Sequence, residues 1–118
     1  MRKGKDFIKP VIVSYDCFHL DPIEEWIPED PYDVDFWMNF TIGPNESSGD
    51  NFDVRIVTPN NLRGKDSDKY AIVLKEYSLQ LVLETVNKML EDIQALDWVH
   101  VTDELSKKMH WEYQDYKP

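Results

Sequence analysis

The sequence predicts an α+β fold, an antiparallel sheet of about four strands with two C-terminal helices packed on one face. Three observations carry this. Apolar and polar residues alternate over 33–43 and again over 51–59, the period-two pattern of strands with one buried side. From Ser78 onward the apolar spacing becomes that of a helix. The strand-like segments come first and the helical ones last, a segregation that places helices on one side of an antiparallel sheet. With 118 residues, a single domain spanning 1–118 is expected.

The first strand candidate is "FIKPVIVSYDCF". Pro10 has no N–H to give a ladder, so this strand begins after Pro10 or lies at an edge. In the second, Val34, Phe36, Met38, Phe40 and Ile42 form one face and Asp33, Asp35, Trp37, Asn39 and Thr41 the other. Trp37 is the exception on the polar side, a large ring that either packs under a loop or belongs to a binding face. "GPNESSGD" at 43–50 is turn chemistry. Phe52, Val54 and Ile56 then alternate with Asp53, Arg55 and Val57, giving a third strand antiparallel to the second. Pro59 stops it, and a polar connection runs to about Lys69. A shorter strand is expected over 70–77. Asp35, Trp37, Asp53 and Arg55 would lie on the solvated face of the sheet.

Ser78 is positioned as an N-cap, followed by the stripe Leu79, Val82, Leu83, Val86, Met89, Leu90 and Ile93. Such a stripe is the ordinary core-facing side of a helix. Asp97 can cap a second helix over 98–109, with Trp98, Val101, Leu105 and Met109 on one face. The closing "WEYQDY" has no helical stripe. It reads as an extended segment that docks Trp111 and Tyr113 and leaves Glu112 and Asp115 outside, or as a contact for a partner.

Formal net charge is −10. A phosphate backbone would be repelled by such a surface, which disfavours direct nucleic-acid binding. Between residues 21 and 35 stand seven acids (Asp21, Glu24, Glu25, Glu29, Asp30, Asp33 and Asp35) and no lysine or arginine. A run of this kind is either a solvated face or a surface for a basic partner. Trp26 and Pro28 within it either form an exposed hot spot or tack the loop to the core. No segment is apolar enough for a signal peptide or a membrane span, so a cytoplasmic location and no membrane partner are expected. The single cysteine, Cys17, excludes an intramolecular disulfide and reads as a small buried residue.

Motifs for chemistry are sparse. His19, His100 and His110 have no metal-ligand spacing. Only four glycines occur, and none forms a phosphate cradle. Asp33 and Asp35 share one strand face and with His19 would be the best set for a small hydrolase, but two acids on the wet side of a strand are the simpler reading. No cofactor, metal or catalytic residue is expected.

"WIPEDPYDVDFWMNFTIGP", "FDVRIVTPNNL", Trp98, Leu105 and the closing "WEYQDY" occur in that order over nearly the whole chain. In this the sequence resembles the immunity protein 8 family of bacterial polymorphic toxin systems. It departs at Tyr113, where the family commonly has Phe. The resemblance implies a cytoplasmic antidote that binds the C-terminal domain of a cognate toxin, often one delivered by contact-dependent inhibition, and blocks it without chemistry. Many such toxins cut nucleic acid through a basic cleft, so acidity tilts the expectation toward a nuclease. The residues expected to contact the toxin are Glu24, Glu25, Trp26, Glu29, Asp30, Asp33, Asp35 and Trp37, with Asp115 and Tyr116 near the end. An acidic adaptor for an unrelated basic partner is the alternative.

Overall fold

The computed structural model describes residues 7–63 and 68–113. Its frame is an open sheet built on a long hairpin. Strand β2 (Asp35–Asn45) pairs antiparallel with β3 (Ser48–Val57), and β1 (Val11–Asp16) pairs antiparallel with the outer edge of β2. β1 begins directly after Pro10 and is an edge strand, as a residue with no N–H requires.

The turn-rich segment after Ile42 turns out to be mostly strand. The hairpin extends until Asn45 pairs with Ser48, and the register slips by a residue between Ile42 and Asn45. Gly43 makes that bulge possible, because a Cβ there would fall on the backbone carbonyl of Ser48.

Two further strands share the other edge of β3. β4 (Ala71–Val73) pairs with residues 55–57, and β5 (His110–Trp111) with Phe52 and Asp53. The sheet is antiparallel as expected except at β4, which runs parallel to β3. The connection over 58–70 is long enough for a parallel return. β4 is also shorter than expected: after Val73 the chain bends at Lys75 and Glu76, and Tyr77 leaves the sheet to bond through its N–H to the Pro31 carbonyl at 2.8 Å.

Helix α1 (Leu79–Glu91) and helix α2 (Trp98–Leu105) start where their caps predict. Ser78 accepts from the Leu81 N–H and Asp97 from the His100 N–H. α1 buries Val82, Val86 and Leu90, and α2 buries Val101, Thr102 and Leu105. All of these but the polar Thr102 join Met38, Phe40, Ile42, Phe52, Val54 and Ile56 of the sheet in one apolar cluster. Both helices therefore cover the same face. Among the described residues no helix is long and apolar enough to cross a membrane.

The chain end returns to the sheet. Besides the β5 pairing, the Glu112 N–H bonds the Asn51 carbonyl at 3.0 Å and the Glu112 carboxylate accepts from the Asn51 N–H at 2.8 Å. Trp111 is half-buried, whereas Tyr113 is 50% exposed and lies edge-on to Trp111. Asp115 and Tyr116 lie outside the described residues.

Candidate functional site

Helices occupy one face of the sheet, so the side chains alternating with the core point the other way. In register across β1, β2 and β3 stand Asp16, Asn39 and Asp53. One step along the same face Trp37 opposes Arg55. Asp35, Trp37 and Asp53 are exposed, as the alternation predicts.

The acidic loop forms a wall beside this face. Its lower end is pinned to the exit of β3. Val34 and Thr58 exchange backbone and hydroxyl hydrogen bonds at 3.0 Å, and the side-chain amides of Asn60 and Asn61 both donate to Asp33 Oδ1 at 2.9 Å. Higher up, Trp26 packs against Phe36 and Tyr77, with each pair of ring centroids 5.3 Å apart. Trp26 therefore tacks the loop to the core, with only part of its surface left to a partner.

Between loop and sheet runs an open groove of about 810 Å³. Among the described residues six carboxylates line it (Asp16, Glu29, Asp30, Asp33, Asp35 and Asp53), and no lysine or arginine does. Phe18 and Trp37 supply exposed rings, Phe18 at 88% and Trp37 at 49%. His19 lies beside Phe18 in an edge-on ring contact.

The carboxylates are not equivalent. Arg55 holds Asp35 through two parallel bonds of 2.8 Å, which keeps the Asp35 carboxyl below its usual range. Hydrogen bonds from Asn61 and then Asn60 lower Asp33 in the same way. Both acids are thus committed to the scaffold and held ionised by different partners. A carboxylate dyad sharing a proton would instead raise one of the two. No group of His, Cys, Asp or Glu suited to a metal ion occurs among the described residues.

The family model described as immunity protein 8 matches residues 11–116. The chain belongs to the immunity protein 8 family. No curated protein and no solved structure gives a match. Members of the immunity protein 8 family are immunity proteins of toxin systems, so the groove is to be read as part of a protein whose partner is a toxin.

Of the contacts expected from the sequence, Trp26, Glu29, Asp30, Asp33, Asp35 and Trp37 line the groove together. Glu24 and Glu25 do not. They sit on a 3-10 turn, Ile23–Glu25, where Glu24 faces Tyr15 and adds to the burial that pushes the Tyr15 phenol up. Asp16 and Phe18 belong to the groove and were missed. The bulge between Ile12 and Ser14 sets which β1 residues face it, and nothing in the sequence marks that bulge. Asp53 was legible as a wet-face residue from its alternation with Phe52 and Val54. Cys17 is buried, its thiol 3.3 Å from the Trp37 carbonyl.

Proposed function

We propose that this chain neutralises its cognate toxin in the cytoplasm by binding a basic surface of the toxin domain in the groove between the acidic loop and the open sheet face. The toxin is a nuclease, and the groove competes with nucleic acid for its positive cleft. The observation that supports this is a groove lined, among the described residues, by six carboxylates and two exposed rings and by no lysine or arginine. Opposed potentials also accelerate encounter above the ~10⁵–10⁶ M⁻¹s⁻¹ of an unsteered pair, which favours an antidote that must meet a toxin already inside the cell.

The test is to co-express the chain with the toxin domain encoded by the neighbouring gene, then to measure nucleic-acid cleavage by the purified pair. Growth should be restored, and cleavage should stop near equimolar chain. A cell that still dies overturns the immunity reading for that toxin. A toxin that leaves DNA and RNA intact overturns the nuclease assignment alone.

A further inference from the structure

We propose that recognition is carried by the sheet side of the groove, and that it receives an arginine-bearing segment of the partner, with a guanidinium stacked on Trp37 and forked onto Asp53. This rests on the reading of the chain as a toxin-binding protein and specifies which part of the groove binds.

At the end of the groove where the loop is anchored, the acids are already engaged: Asp33 is bonded by Asn60 and Asn61, and Asp35, at the start of β2, by Arg55, while Trp26 is packed between the rings of Phe36 and Tyr77. Further along the sheet face the acids are less committed. Asp53 accepts one hydrogen bond, from the Asn39 amide to Oδ1 at 3.0 Å, and neither Asp53 nor Asp16 pairs with a lysine or arginine among the described residues. Asp16, Asn39, Asp53 and His110 stand in one row across four strands. Two carboxylates with no lysine or arginine partner among the described residues thus lie about 10 Å apart, two strand spacings, with an amide between them.

Trp37 stands beside this row. Its direct cross-strand neighbour is Arg55, and Asp53 is the diagonal one, within reach of a ring or a long side chain. Asp35 holds Arg55 on one side of Trp37, and Asp53 on the other side pairs with no lysine or arginine among the described residues. A guanidinium suits that place better than an ammonium. It is planar, stacks on an indole, is more weakly hydrated and bonds a carboxylate with two parallel N–H groups. The groove volume of about 810 Å³ lies within the ~300–1,000 Å³ of ligand-sized sites, so it admits several residues of a partner segment. A second copy of this chain does not fit, because at a net charge of −10 two such faces repel.

The experiment titrates the catalytically inactivated toxin domain onto the full chain by calorimetry, comparing Trp37→Ala and Asp53→Asn with Glu25→Gln, a charge removal outside the groove. Trp37→Ala and Asp53→Asn should each weaken binding by about tenfold or more, and Glu25→Gln by less than about twofold. Thermal midpoints should stay level, since Trp37 and Asp53 are exposed. Phenylglyoxal labelling of the toxin should show an arginine shielded by the native chain and reactive again with Trp37→Ala. Native affinity in both groove variants, or no toxin arginine shielded by the native chain, overturns the inference and leaves the immunity role standing. No binding by the native chain overturns the functional reading, and the inference with it.

Discussion

Trp98 and Trp111 converge on one acceptor: both indole N–H groups donate to Oδ2 of Asp50, each at 3.2 Å. Trp98 opens α2, Trp111 ends β5, and Asp50 lies on β3 at the distal end of the hairpin. A single carboxylate oxygen therefore ties the second helix and the returning chain end to the strand they pack on.

Replacing Asp50 by alanine removes the acceptor that both partly buried indoles share, at about 1–3 kcal/mol for each bond lost where water cannot reach. Asp50→Ala should lower stability by roughly 2–4 kcal/mol in urea unfolding on that basis, with partial solvation of the indoles setting the lower figure. Asp50→Asn keeps an acceptor of the same shape and should lose less. Equal losses for the two would show that the shared acceptor contributes nothing.

The bulge at Gly43 gives a steric prediction. Gly43→Ala places a methyl where the Ser48 carbonyl already sits. The hairpin must open locally, at about 1–3 kcal/mol by analogy with overpacked cores. The urea midpoint should fall, and amide exchange should quicken at residues 42–50 while the helices stay protected.

Much of the fold was legible because its signals are local. Alternation located β2 and β3, Ser78 and Asp97 marked both helix starts, and Pro10 gave the start of β1. What stayed hidden depends on partners remote in sequence. The parallel direction of β4 lies in its pairing with residues 55–57, which no local pattern encodes. β5 has two residues, too few for any period. The hairpin tip read as loop because Gly43 and Gly49 look like turn residues, yet both lie within paired strands. In the site, composition found the acidic loop, but charge in sequence could not separate acids bonded internally, such as Asp33 and Asp35, from Asp53, which pairs with no lysine or arginine among the described residues. That distinction depends on Asn60, Asn61 and Arg55 arriving from β3 and its exit.

Those bonds also set a pH dependence. Asp35 is lowered chiefly by Arg55, Asp33 by Asn61 and then Asn60, and Asp97 by the His100 N–H it caps. A carboxyl with a depressed folded-state pKa binds its proton more weakly folded than unfolded. Its stabilisation is complete above the unfolded value of ~3.9 and is lost as pH falls through the folded value. Unfolding measured from pH 7 to pH 2.5 should show native stability dropping below about pH 4. The native-minus-variant difference for Asp35→Asn should shrink over the same window. This difference removes the general relief of repulsion that acid brings to a chain of charge −10. A difference that stays constant with pH would mean that Asp35 is not held ionised by Arg55.

Two tryptophans in the groove lining separate scaffold from surface. Trp26 lies 5.3 Å from the rings of both Phe36 and Tyr77, which are themselves 5.5 Å apart. This three-ring cluster closes the end of the sheet over the acidic loop. Trp37 is 49% exposed on the open face. Truncating a fully buried tryptophan costs about 3–5 kcal/mol, so half-buried Trp26→Ala should cost about 2–3 kcal/mol and loosen the loop. Trp37→Ala should stay within about 1 kcal/mol of the native chain, near the range of surface substitutions. Circular dichroism melts measure both, and tryptic digestion after Arg55 and Arg63, which flank the loop's anchor on the β3 exit, should quicken only for Trp26→Ala. If Trp37→Ala melted as early as Trp26→Ala, Trp37 would belong to the scaffold, and the open face would lose its main candidate for an aromatic anchor.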